Sequence, residues 1–141
     1  MIPRHVPNCF VCGKDNPHGL RAKFRVEKDA AIGEFKPENW QEGGRGMLHG
    51  GLICALLDEA MAALVNVTLG VYAPTVSLEI RMRKPISLDE ERIIVKAELI
   101  DKNERHNIYT AQATLQLPDG TLLALGKGKF LKDKKVQLPS E

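Results

Sequence analysis

The sequence predicts an α+β domain in which an antiparallel sheet wraps one long helix. Three observations carry that prediction. Gly46 to Leu64, GMLHGGLICALLDEAMAAL, is apolar almost without interruption and built of good helix formers. From Pro74 the hydrophobic period changes to two, and short segments of that period recur to the end of the chain. Tight turns rather than long crossovers join them, which favours antiparallel pairing, and a helix apolar nearly all round needs such a sheet to cover it.

Taken in order, residues 1–19 read as a loop segment with Pro3, Pro7, Gly13, Pro17 and Gly19. Leu20–Glu27 and Ala30–Phe35 read as two short strands with Lys28-Asp29 as the turn between them. Pro37 to Gly46 is an irregular loop holding the only tryptophan, Trp40. The helix is expected from about Gly50 to Asn66, with Thr68-Leu69-Gly70 as its stop. In TVSLEIRMRKP, Val76, Leu78, Ile80 and Met82 alternate with Ser77, Glu79, Arg81 and Arg83, the pattern of a half-buried strand. Glu91–Ile100 and Asn107–Leu117 are two further strands, Pro118-Asp119-Gly120 is a turn, and Thr121–Leu131 is the last strand. Residues 20–131 therefore form one domain, and 132–141 read as a solvated tail.

Composition bounds what such a domain does. Its 141 residues suit one core rather than two, and 43 % hydrophobic with 27 % charged residues is ordinary for a water-facing globular chain. A net charge of +2 gives no reason to expect a nucleic-acid partner. No signal-peptide pattern opens the chain and no run approaches the ~18 apolar residues of a membrane span, so the expectation is a cytoplasmic protein with no membrane partner. Three cysteines point to free thiols or a metal rather than to a disulfide framework.

Two adjacent carboxylates, Asp58 and Glu59, interrupt the apolar helix. At ~100° per residue, Leu52, Ile53, Leu56, Leu57 and Leu64 form one stripe suited to a concave sheet. Asp58 points almost opposite, among Cys54, Ala55, Met61, Ala62 and Val65, while Glu59 lies at the edge between the faces. Solvation or a structural ion pair accounts for Glu59. Asp58 has no lysine or arginine between Leu48 and Val76 to pair with, and its small neighbours leave room for a ligand or another backbone. At the helix start, His49-Gly50-Gly51 offers unpaired backbone N–H groups, a favourable dipole and no side chain to hold a ligand away. Such donors stabilise the oxyanion that develops when a thioester or ester carbonyl is attacked. Two glycines before a helix also make a simple tight turn, so the motif needs its context.

That context is a resemblance. HGGLICALLDEAMA, preceded by CFVCGKDNPHGL, resembles the hotdog-fold acyl-CoA thioesterases, in particular the branch related to phenylacetate-pathway thioesterases, and the spacing from His49 to Asp58 matches that family's motif. The resemblance covers roughly residues 20–131. It implies a hotdog fold, a Gly50 N–H donated to the thioester carbonyl, a His49 that orients the helix start, and Asp58 as general base or nucleophile. Some relatives carry an Asn six residues before the His, where this chain has Gly43 beside Glu42. They also use a hydroxyl on the strand after the helix, for which Ser77 is the best match and Thr75 the second. Gly51, Glu59, Arg81, Arg83 and Lys84 are the candidate substrate contacts; the three cations, with Lys127 and Lys129, would meet the phosphates of coenzyme A.

Gly50 and Asp58 stand about 12 Å apart along one helix, too far to share a carbonyl, so the Asp must come from a partner chain. A homodimer, or a dimer of dimers, is expected. The expected reaction is hydrolysis of an acyl- or aroyl-CoA thioester with no cofactor and no metal. A hotdog module that binds acyl thioesters without turning them over is the alternative, and a hotdog dehydratase or hydratase stands behind it. His5, Cys9, Cys12 and His18 have the chemistry of a tetrahedral zinc site, but without a second Cys pair the expectation is a thiol-capped turn. Cys54, inside the helix, is expected in the core.

Overall fold

The structure, a computed structural model, describes residues 6–70 and 72–132. His5 and the tail beyond Lys132 lie outside the described residues. The elements are β1 (Lys23–Glu27), β2 (Ala30–Phe35), a 3-10 turn (Asn39–Gln41), α1 (Gly50–Leu69), β3 (Thr75–Met82), β4 (Ile93–Asn103), β5 (Ile108–Gln116) and β6 (Leu122–Leu131). The strands form one antiparallel sheet in the order β1-β2-β4-β5-β6-β3, which leaves β1 and β3 as its edges. The sheet curls around α1, which packs against every strand. This is the hotdog arrangement.

Helix α1 runs three residues beyond the expected Asn66. Gly70 ends it in the left-handed conformation at φ 69°, and its N–H bonds back to the Asn66 carbonyl at 2.9 Å. Because Asp58 and Glu59 are its only charges, α1 is long and apolar enough to cross a bilayer by length and composition, contrary to the expectation that no run approaches such a span. Here it is a core helix: Ile53, Leu56, Leu57 and Leu64 are buried, as their spacing predicts.

Met61 and Val65, placed by the sequence on the Asp58 side, are also fully buried. Glycines on β6 make room for Met61 and for Leu57 beside it. A Cβ at Gly128 on β6 would sit 3.2 Å from the Met61 Cε, and one at Gly126 would meet Leu57 at 3.6 Å. Side-chain-free positions therefore let α1 lie close on β6, and burial extends around more of the helix than hydrophobic spacing indicates. What stays partly open is a narrower strip containing Cys54, Ala55, Asp58, Glu59 and Ala62; Cys54 is half-buried rather than in the core.

The expected half-burial of the strand after the helix is not found in the single chain. Val76, Leu78 and Met82 are 55 %, 38 % and 49 % exposed along β3, whose outer edge pairs with no other strand. Of the four apolar residues that alternate along β3, Ile80 alone packs against the core, while the other three are ordered for burial but left exposed among the described residues.

Candidate active site at the start of the long helix

The segment before α1 is held by its own backbone. The His49 N–H bonds to the Gln41 carbonyl at 3.0 Å, Leu48 N–H to Ile86 O at 2.8 Å, and Gly43 N–H to Met47 O at 2.9 Å. Gln41 is almost fully buried, and its side-chain oxygen accepts the Glu38 N–H at 2.9 Å. Nothing in the sequence marks Gln41, since a glutamine in a loop carries no periodic signal. Gly46 turns the loop at φ 74°, a conformation favoured by glycine, and its N–H is received by the Glu42 carboxylate at 2.8 Å.

His49 is the N-cap of α1. Its Nδ1 accepts the Gly51 N–H at 2.8 Å, which fixes the imidazole and satisfies one of the orphan donors of the first turn. Gly51 is therefore spoken for, whereas the Gly50 N–H has no acceptor among the described residues. Gly50 is exposed, and the Met82 Cε would lie 3.7 Å from a Cβ placed on it, so the end of β3 borders this donor. The position at which relatives carry Asn cannot hold a side chain without movement: a Cβ on Gly43 would be 2.8 Å from the His49 Cα. Beside it, one oxygen of the Glu42 carboxylate holds the Gly46 N–H.

Asp58 is half-buried, and its Oδ1 accepts a hydrogen bond from the Thr75 hydroxyl at 2.7 Å. Of the two hydroxyls considered on this strand, the structure brings Thr75 to Asp58 and not Ser77. The reason is a register shift between Thr75 and Ser77 in the pairing of β3 with β6. Ile80 and Met82 approach Gly126 and Gly50 on the helix side, so alternation turns Ser77, Glu79 and Arg81 outward. The bulge breaks that alternation once and returns Thr75 to the helix side.

Glu59 does not face the helix start. Its Oε1 lies 3.2 Å from the Cys12 Sγ and 3.6 Å from the Cys9 Sγ. Burial pushes its carboxyl up to about 7, with the Cys9 thiol adding to the effect. Hydrogen bonds from Cys12 lower the Cys9 thiol to about 5, while the side-chain bond to Cys9, followed by burial, raises the Cys12 thiol. His18 is exposed and stands outside this group. Arg81, Arg83, Lys84, Lys127 and Lys129 are exposed and make no ion pair among the described residues. Arg83 and Lys84 follow Met82 directly, with both N–H groups on the Leu123 carbonyl, and so belong to the Gly50 end of β3. A concavity of about 410 Å³ lies instead on the face of the sheet turned from α1, lined by residues including Ile32, Lys96, Gln112 and Leu125, and it contains none of these groups.

Residues 45–106, from the loop before His49 through β4, match the family model of the Thioesterase superfamily. A human protein described as acyl-coenzyme A thioesterase THEM5 is 28 % identical over 118 residues; the match takes in 84 % of this chain but only 45 % of that protein, so the chain spans under half its relative's length. Among solved structures, the PaaI protein from the phenylacetic acid degradation operon of E. coli superposes with a TM-score of 0.75 at 17 % identity, over 85 % of this chain and 84 % of that one. A hypothetical thioesterase from Streptococcus pneumoniae TIGR4, solved with coenzyme A, gives a TM-score of 0.73 at 17 % identity, over 84 % of this chain and 91 % of the other.

Proposed function

We propose that this chain, a member of the thioesterase superfamily by its matched segment and its hotdog fold, hydrolyses an acyl- or aroyl-CoA thioester to the free acid and CoA at a site shared by two subunits. The observation that carries the reading is the pairing of a Gly50 N–H with no acceptor among the described residues, at a His-capped helix start, with a carboxylate eight residues on that faces an open strand edge. The carbonyl oxygen receives the Gly50 N–H, aided by the helix dipole, and charge developing on it in the transition state strengthens that bond. Asp58 of the other subunit acts as general base on water or as nucleophile on the carbonyl carbon, with Thr75 holding the carboxylate in place.

The oligomer follows from the same geometry. Gly50 and Asp58 of one chain are about 12 Å apart along the helix axis. β3 presents an unpaired edge and exposed Val76, Leu78 and Met82, a surface that a second copy related by a two-fold axis would cover. That pairing is the physical reason for proposing a homodimer, alone or as half of a dimer of dimers. The human relative's description and the coenzyme A in the streptococcal structure support a CoA thioester as the substrate.

A panel of acyl- and aroyl-CoA thioesters, followed by release of the free thiol, tests the activity. Turnover that falls by at least ~10²-fold in Asp58→Asn is the expected result. Tight binding of CoA thioesters with no thiol released from any of them would instead establish a binding module.

A further inference from the structure

We propose that Cys9, Cys12 and Glu59 form a site for a thiophilic divalent cation of the zinc type, which staples the N-terminal segment to the middle of α1. The two thiols and one carboxylate oxygen all lie within 4.8 Å of one another. In a tetrahedral zinc site, Zn–S near 2.3 Å and Zn–O near 2.1 Å place sulfur and oxygen ligands about 3.6 Å apart. The Sγ to Oε1 separations here are 3.6 Å for Cys9 and 3.2 Å for Cys12. Each sulfur–oxygen separation is thus within about half an ångström of what a bound zinc ion requires.

The turn that carries the thiols is built beforehand. Cys9 N–H bonds to Val6 O at 3.0 Å, Gly13 N–H to Cys9 O at 2.9 Å and Asp15 N–H to Pro7 O at 2.9 Å. The Cys12 N–H meets the Cys9 sulfur at 3.5 Å. The loop closes so tightly that a Cβ on Gly13 would be 2.4 Å from the Cys9 nitrogen, so only glycine fits. Leu20 and Ala22 then bond back to Phe10 and Val11 at 2.8 and 2.9 Å, which docks the turn on the core beside α1. Both sulfurs are thus aimed at Glu59 by backbone, not by chance contact of long side chains.

Chemistry selects a cation over a plain hydrogen-bonded cluster. Glu59 is a largely desolvated carboxylate that makes no ion pair with lysine, arginine or histidine among the described residues. Thiols are weak donors and compensate poorly for the lost hydration of a carboxylate. A divalent ion supplies the missing positive charge, and two thiolates with one carboxylate favour zinc over magnesium or calcium. The second Cys pair absent from the sequence is replaced by a carboxylate 47 residues away, which no local spacing rule reveals. Among the described residues no fourth ligand joins the three, His18 standing outside the cluster, and solvent would complete the coordination there.

The test uses protein purified without a histidine tag, with its thiols kept reduced, from zinc-supplemented culture. Elemental analysis should find about one zinc per chain, and cobalt in its place should show thiolate-to-metal absorption in the near ultraviolet. Cys12→Ser should lose both signals, and Glu59→Gln should bind zinc at least ~10²-fold more weakly. If the cysteine variant misfolds, chelator-treated wild type titrated with zinc against a coloured indicator should take up one equivalent and gain amide-exchange protection in residues 6–22. Folded, reduced wild type that holds and takes up no zinc would overturn the proposal, as would unchanged zinc affinity in Glu59→Gln.

Discussion

Replacing His49 with Ala separates a positioning role from a chemical one. The bond lost is the one from the Gly51 N–H to Nδ1 at 2.8 Å, an N-cap bond worth about 1 kcal/mol. For a domain of 141 residues that shifts Tm by about 3–5 °C. The catalytic loss should be larger, because Gly50 and Gly51 leave the first turn of α1 without side chains to hold it. A misplacement of the Gly50 donor by about 1 Å costs on the order of 10²-fold in rate. The expected result for His49→Ala is therefore a fall of about 10²-fold in kcat/KM with only a modest drop in Tm. His49→Asn supplies a strong alternative cap from an oxygen within reach of the same N–H, so it should restore Tm and most of the activity. Thiol release from the preferred thioester and thermal unfolding read the two quantities on the same samples. An Asn variant that regains wild-type stability but stays as inactive as Ala would refute the reasoning and give the imidazole a direct chemical role.

Asp58→Asn should reduce hydrolysis by at least ~10²-fold with Tm and circular dichroism preserved, and Glu59→Gln should cost much less, since Glu59 faces the thiols and not the helix start. Loss of the Thr75 hydroxyl in Thr75→Val should lower kcat by about 10-fold by freeing the Asp58 carboxylate, while Ser77→Ala on the outer face stays near wild type; the reverse order in steady-state kinetics would contradict the register described for β3. Arg83→Ala or Lys84→Ala should raise KM for CoA thioesters more than for a pantetheine thioester lacking the nucleotide, with Arg81→Ala weaker; equal effects on both substrates would make these cations ordinary surface charge.

The fold was legible because its main signals are local. One apolar stretch ended by Gly70 and several period-two segments joined by tight turns leave little besides a helix in an antiparallel wrap. The misplaced details are those that depend on distant partners. Met61 is buried because β6 offers Gly128 where it lands, a fact written 60-odd residues downstream. Ser77 ranked ahead of Thr75 because counting residues along a strand takes no account of a bulge, and only the pairing of β3 with β6 reveals the extra residue. Glu59 read as an edge carboxylate because its partners Cys9 and Cys12 stand 50 and 47 positions away. β3 carries the sequence of a half-buried strand, yet in one chain Val76, Leu78 and Met82 are exposed, which is the pattern the proposed dimer would require.

The shared site is the central claim, and two inactive variants test it together. Asp58→Asn removes the carboxylate. Gly50→Pro removes the N–H donor at the first helical position, where proline is tolerated, where His49 already has the extended ψ of 134° that a following proline requires, and where the Met82 methyl is the nearest neighbour at 3.7 Å. Each alone should be inactive. Refolded together at equal amounts, random pairing makes about half the dimers mixed, and each mixed dimer carries one doubly damaged site and one intact site, so about a quarter of wild-type activity should return. A mixture shown by native mass spectrometry to contain the folded heterodimer, yet no more active than either variant alone, would contradict the account.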